Sequence, residues 1–170
     1  MDLLFNNQTS KEKVFSTVKD FLEEKGFRVS NIDKERPWGG FFVIDETQSE
    51  KFKNEFFEDV EHAGDDERKI SPKLLIVGAH KRLSWQYHFR RSEIWKVIGG
   101  EAGVIRSDDD EEKSIETKKT NDIILLKQGE RHRLIGLDSW GIIAEIWQHT
   151  DIENPSDEED IVRLQDDFGR

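Results

Sequence analysis

The residues of this chain best suited to chemistry lie in two short stretches. Gln86, His88 and Glu93 fall within Trp85-Gln-Tyr-His-Phe-Arg-Arg-Ser-Glu-Ile-Trp95. In a strand, residues two apart face the same way, so Gln86 and His88 project together with Ser84 behind them. If the chain turns back through 89–92, Glu93 opens the next strand and faces the same interior. The second stretch, Lys127-Gln-Gly-Glu-Arg-His-Arg133, sets Gly129 three residues ahead of His132. The glycine permits a tight turn, and His132 then begins a strand aimed inward. A lone histidine in a barrel is more often hydrogen-bonded than ligating. Two imidazoles, a carboxylate and an amide oxygen that converge are a different matter. That set suits one divalent ion of borderline hardness, with coordination positions left open.

Cations flank both stretches: Lys81, Arg82, Arg90, Arg91, Arg131 and Arg133. Arginine presents the fork that matches a phosphate group. Arg91 lies between two candidate ligands and is expected in the pocket.

Strands separated by turns must carry these residues. The spacing predicts them at 73–79, 82–89, 93–100, 101–106, 113–118, 122–127, 132–137 and 140–148. Eight short strands with frequent turns indicate an all-β barrel or jelly roll. The acidic run Arg106-Ser-Asp-Asp-Asp-Glu-Glu-Lys-Ser114 is expected at a hairpin tip, solvated. Ahead of the strands, Ser10 to Lys25 reads as a helix with Ser10 as its N-cap. Val14, Phe15, Val18, Phe21 and Leu22 make its apolar stripe, and Gly26 ends it. Pro37 and Gly39–Gly40 turn the chain into a short strand. A brief amphipathic helix and a polar loop holding His62, expected on the surface, fill 51–69. The tail 157–170 is expected to add a last short element. Trp38, Trp85, Trp95, Trp140 and Trp147 are expected in the core, with the aromatics around His88 packed outside the barrel wall or against the helix.

Composition narrows the classes of function. Across 170 residues the formal net charge is −11, which argues against nucleic-acid or anionic-membrane binding. There are no cysteines, so disulfides and thiolate metal sites are excluded. No signal-like or membrane-spanning apolar run is visible, and a cytoplasmic protein is expected.

The run Gln86-Tyr-His88-Phe-Arg-Arg91-Ser92-Glu93 followed by Gly100 resembles the first cupin motif, and Gly129-x-x-His132 resembles the second. "RLSWQYHFRRSEIW", "RPWGG" and the ending "EDIVRLQDDFGR", in this order, are similar to the C-terminal cupin domain of type II mannose-6-phosphate isomerases. The resemblance covers about 35–44 and 73–170. It implies a cupin-type double-stranded β-helix over 35–170, preceded by a helical extension over 1–34, without the nucleotidyltransferase domain that accompanies such cupins. It places the metal on Gln86, His88, Glu93 and His132, with zinc expected; manganese, iron or nickel would also suit the ligands. The chain departs from the pattern at Phe89, Arg90 and Ile94, where histidines are frequent. It departs also at His80 and Asn121, where the pattern has glycine, and at Lys127, where it has proline.

The function so implied is a metal-dependent aldose–ketose isomerase interconverting mannose 6-phosphate and fructose 6-phosphate. Arg91 is the expected catalytic arginine and Glu145 a candidate base. Ser84, Lys81, Arg82, Arg131, Arg133 and Arg170 are the expected substrate contacts. A homodimer is compatible with this reading. The alternatives are a sugar- or nucleotide-sugar-binding cupin without turnover, and another metal-dependent cupin enzyme such as a dioxygenase.

Overall fold

A computed structural model describes residues 1–61 and 69–170; the surface placement expected of His62 lies outside the described residues. Helix α1 spans Lys11–Glu24, and Ser10 Oγ accepts the Lys13 amide at 3.2 Å, satisfying one of the donors a helix start leaves free. A second helix, α2, covers Ser49–Phe57.

Among the described residues, eleven strands follow in chain order. They are β1 (Val29–Asp33), β2 (Gly39–Ile44), β3 (Ile70–Val77), β4 (Trp85–Tyr87), β5 (Arg91–Gly99), β6 (Glu101–Ser107), β7 (Glu116–Lys119), β8 (Ile123–Leu126), β9 (Arg131–Gly136), β10 (Gly141–His149) and β11 (Val162–Gln165). They form a six-stranded sheet in the order β1-β2-β3-β10-β5-β8 and a five-stranded sheet in the order β11-β4-β9-β6-β7. Four of the antiparallel pairings are β3 with β10, β4 with β9, β5 with β8 and β6 with β7. This nesting is one long hairpin, tipped at the β6–β7 turn and wound into two facing sheets. It is the jelly roll expected from the short strands. β1, β2 and β11 extend its edges, so the sheet begins at Val29.

Strand β10 shows why the pattern of apolar residues was hard to read there. All nine of its residues are buried. Ile142, Ala144 and Ile146 face outward into a cluster with Val18 and Leu22 of α1, while Ile143 faces the barrel interior with Val97 and Leu134. A helix layer outside the sheet lets a strand be buried on both faces, which removes the usual alternation. Phe15 of α1 stacks on Phe42 of β2 with ring centroids 5.4 Å apart.

The double glycine after Trp38 has a steric cause. A Cβ on Gly39 would lie 1.9 Å from the Ile76 carbonyl oxygen, so only glycine lets β2 close on β3 there. At the two positions where the cupin pattern has glycine, His80 and Asn121 adopt left-handed φ values of 57° and 80°. The backbone conformation is kept although the residue has changed. The acidic tip is exposed from 108 to 114, as expected. Asp110 and Glu112 reach back to pair with Arg131 and Arg133 on β9. Among the described residues, no helix is long and apolar enough to cross a membrane.

Candidate metal centre

Three of the four expected ligands come together inside the barrel. The ligand atoms of His88, Glu93 and His132 lie within 4.8 Å of one another. Strand β5 delivers Glu93, the loop after β4 delivers His88, and β9 opens on Arg131–His132. Gly129, at φ 77°, makes the tight turn that sends β9 inward. His88 Nε2 stands 3.2 Å from one Glu93 oxygen, and His132 Nε2 stands 3.5 Å from the other.

The tautomers follow from the backbone. His88 Nδ1 donates to the Asp160 carbonyl at 2.7 Å, and His132 Nδ1 donates to the Glu130 carbonyl at 2.9 Å. A carbonyl can only accept, so each Nδ1 carries the proton and each Nε2 turns a lone pair toward Glu93. His132 Nε2 is buried and has no hydrogen-bond partner. An acceptor left bare in a dry interior costs free energy unless something binds it. Such carbonyl-fixed imidazoles are a common outer support of metal ligands. The residues therefore fit a divalent ion held by His88, Glu93 and His132. Burial keeps His88 neutral, its pKa down to about 3, outweighing the opposite pull of Glu93. Burial alone would push the Glu93 carboxyl up, but Arg91, His88 and His132 together outweigh it and hold the carboxyl below the usual range.

Gln86 lies beside the cluster in a different attitude. Its amide nitrogen is 3.5 Å from His88 Nε2, and its oxygen accepts from Ser84 Oγ at 2.5 Å. Ligation through that oxygen requires the amide to turn over. Arg91 is buried against the cluster. Its Nε donates to Glu93 at 2.7 Å and its Nη2 donates to His88 Nε2 at 3.1 Å.

A cavity of about 700 Å³, its open mouth included, lies alongside, and Ser84, Gln86, Arg91, Glu93, Glu145 and Arg170 all line it. Glu145 is fully enclosed. Burial and the charge of Glu93 raise its pKa to about 8, against the pull of Lys73 and Arg91. The Trp95 indole N–H is shared between Glu93 at 3.1 Å and Glu145 at 3.0 Å. Trp95 and Trp38 thus line the cavity rather than the core alone, because Trp95 shares the inward face of β5 with Glu93. Trp85 and Tyr87 do face away, as expected; the Trp85 indole donates to the Asp110 carbonyl, and Arg131 stacks on Tyr87.

Four of the expected substrate contacts lie outside this cavity. Lys81 lines a separate hollow beside Trp140. Arg82 is paired in bidentate fashion with Asp167. Arg131 is paired with Asp110. Arg133 is wholly buried, bonded to Glu112 and to the carbonyls of Leu83 and Gln165. On a strand, their side chains point to the sheet face opposite His132 or to its ends. Conversely, Arg36, Lys73, Glu158 and Arg163 line the cavity although no role was expected of them. Lys73 was detectable: it shares parity with Leu75 and Val77 on β3 and pairs across the ladder with Glu145. Arg163 gave no such signal, since β11 is short and largely exposed.

The departures from the family pattern mostly point away from the cluster. Ile94 packs outward among the residues that meet α1, and Phe89 is exposed.

The family model described as "Mannose-6-phosphate isomerase C-terminal" matches residues 28–166. No curated protein sequence matches the chain. Among solved structures, procruciferin, an 11S globulin from Brassica napus, is similar at TM-score 0.54 and 14% identity, over 79% of this chain and 29% of that one. Vicilin from hazelnut, Corylus avellana, is similar at TM-score 0.51 and 17% identity, over 80% of this chain and 33% of that one. The oxalate decarboxylase of Lactobacillus farciminis, solved as a formate complex, gives TM-score 0.51 and 15% identity, over 79% and 33%. The chain thus spans about a third of each of these structures, and the likeness is one of fold.

Proposed function

The chain belongs to the mannose-6-phosphate isomerase C-terminal family of cupin domains, and from that premise we propose that it is a metal-dependent aldose–ketose isomerase of a hexose phosphate, mannose 6-phosphate and fructose 6-phosphate first. The observation that carries this reading is that Glu93 of the ligand cluster and the buried carboxyl of Glu145 line one cavity and share the Trp95 indole N–H. Among the described residues His132 Nε2 has no hydrogen-bond partner, and the Glu145 carboxyl, pushed up to about 8 by burial, lies a single indole away.

His88, Glu93 and His132 would hold a divalent ion, zinc foremost, and that ion would supply Lewis-acid polarisation of the sugar oxygens. Glu145 takes the proton from C1 or C2 and returns it to the other carbon, a task best done by a group whose pKa lies near the working pH, while the hydroxyl proton passes between the two sugar oxygens. The Trp95 indole fixes the orientation of that carboxyl. Arg91 neutralises Glu93 and sets positive charge beside the negative charge that develops on the substrate oxygens. Ser84 orients Gln86 at the cavity wall.

A coupled assay on mannose 6-phosphate with the zinc-loaded full chain tests the proposal. Turnover that Glu145→Gln lowers by about a hundredfold or more supports it, in line with the usual contribution of a positioned base. Metal bound without turnover of any hexose phosphate would leave a second reading, a sugar-binding cupin. One observation favours that second reading: the Arg91 guanidinium already satisfies His88 Nε2 and one Glu93 oxygen.

A further inference from the structure

Strand β10 ends on His149, a buried histidine outside the ligand cluster and not among the residues that line the cavity. Both of its ring nitrogens are engaged. Nδ1 lies 2.9 Å from the backbone nitrogen of Ser156, and Nε2 lies 2.9 Å from Ser71 Oγ. A backbone N–H can only donate, so Nδ1 is the acceptor and Nε2 carries the proton. Burial and then the charge of Lys69 hold the ring neutral against the pull of Glu46, and Arg91 and Arg90 act in the same direction as Lys69. Ser71 and His149 have the make-up of a nucleophile and its base, but the polarity is reversed. Ser71 accepts from the ring and gives its own proton to Glu46 at 3.0 Å, so this imidazole does not activate the hydroxyl. The pair is a structural link.

What His149 holds through Nδ1 is the segment between β10 and β11. Ser156, buried within it, accepts from Arg91 Nη1 at 2.8 Å and donates to the Asp160 carboxylate at 2.5 Å. That carboxylate accepts the amides of Phe89 and Arg90, each at 3.0 Å. The Asp160 carbonyl takes the Nδ1 proton of His88 at 2.7 Å. Contacts thus run from His149 through Ser156 and Asp160 to a candidate ligand, and through Ser156 to the arginine bonded to Glu93. On the other side they run through Ser71 to Glu46, which opens a short 3-10 helix (Glu46–Gln48) and pairs with Lys69. Residues 151–154 of the segment are exposed, and 150–161 form no helix or strand. Such a segment has little apolar packing of its own and depends on specific bonds for its place.

We propose that His149 is a positioning residue for the metal centre: by accepting the Ser156 amide it fixes the segment 150–161, and with it the Asp160 carbonyl that orients His88. This rests on the reading of His88, Glu93 and His132 as metal ligands. A neutral imidazole suits the task because it offers an acceptor and a donor on one rigid ring, which joins the segment to β3 at a fixed spacing.

The test separates the two ring nitrogens. His149→Asn keeps an acceptor at the position of Nδ1, toward Ser156. His149→Gln keeps a donor at the position of Nε2, toward Ser71, and leaves the Ser156 amide without its acceptor. Zinc affinity of the full chain is measured by competition with a chromophoric chelator, with folding followed by circular dichroism. His149→Gln should weaken zinc by about tenfold to a hundredfold, the usual loss when the outer support of a ligand is removed, and His149→Asn should stay close to wild type. Ser156→Ala, which keeps the amide but removes the hydroxyl link to Asp160, should lose affinity as well and serves if His149→Gln does not fold. In the metal-free chain, hydrogen exchange at the Phe89 and Arg90 amides should be faster in His149→Gln than in wild type or His149→Asn. Wild-type affinity in His149→Gln or Ser156→Ala, an equal loss in His149→Gln and His149→Asn, or unchanged exchange at Phe89 and Arg90 would each overturn the assignment. Faster exchange in His149→Gln, with no zinc taken up even by wild type, would uphold the hold of His149 on the segment and defeat the metal reading. Zinc bound equally by wild type and His149→Gln would do the reverse.

Discussion

The bare nitrogen of His132 and the enclosed carboxyl of Glu145 are two residues that isolated burial would penalise. Glu145 has a folded pKa raised to about 8, burial being the chief cause, whereas a carboxyl in the unfolded chain titrates near 4.5. Between those values the folded metal-free chain binds more protons than the unfolded one. Stability from this group is therefore full below about pH 4.5 and is lost as pH rises toward 8. Thermal unfolding of the metal-free chain across this range should show Glu145→Gln gaining on wild type as pH rises; parallel curves would refute the assignment. Residue chemistry in the sequence was legible where parity and a turn glycine pointed inward together, as for His88, Glu93 and His132. It was not legible for Arg82, Arg131 and Arg133, because charge near a ligand says nothing about which sheet face carries it. Trp95 is in the core as expected, but its second role was not legible: its N–H bridges Glu93 and Glu145.

At the scale of elements, the eight central strands were visible because turn residues and apolar runs alternate along 73–148. β1 escaped notice: it is a half-exposed edge strand of five polar and apolar residues with no turn signal of its own. Helix α1 was plain from its stripe, and the structure adds what the stripe covers. Truncating Phe15, which is buried and stacked on Phe42, should cost about 3–5 kcal/mol in denaturant unfolding, the usual range for a core phenylalanine. Zinc stoichiometry should be unchanged, since α1 lies on the outer face of the sheet away from the cluster; loss of zinc at temperatures where Phe15→Ala remains folded would contradict that layering. The left-handed turns make a second prediction. A non-glycine residue there costs about 1–2 kcal/mol, so His80→Gly should raise the melting temperature, offset in part by the entropy of glycine. Asn121→Gly should gain less, because asparagine tolerates that conformation. A lowered melting temperature for His80→Gly would show that its side chain contributes more than its backbone strain costs.

For the whole molecule, ion binding and folding are one equilibrium. An ion that binds only the folded chain stabilises it, by about 2.7 kcal/mol at a hundredfold excess over Kd. The C-terminal segment belongs to the same unit, since the Asp160 carbonyl fixes His88 and its carboxylate accepts the Phe89 and Arg90 amides. Sequence alone could not reveal that coupling, which joins residues 72 positions apart. The most direct measurement is the zinc stoichiometry of the chelator-stripped, refilled full chain, wild type beside His132→Ala, with folding of both checked by circular dichroism. One ion per wild-type chain and none held by folded His132→Ala is the predicted result. No ion in wild type, or an equal amount in both, would contradict the assignment of His88, Glu93 and His132 as a metal centre.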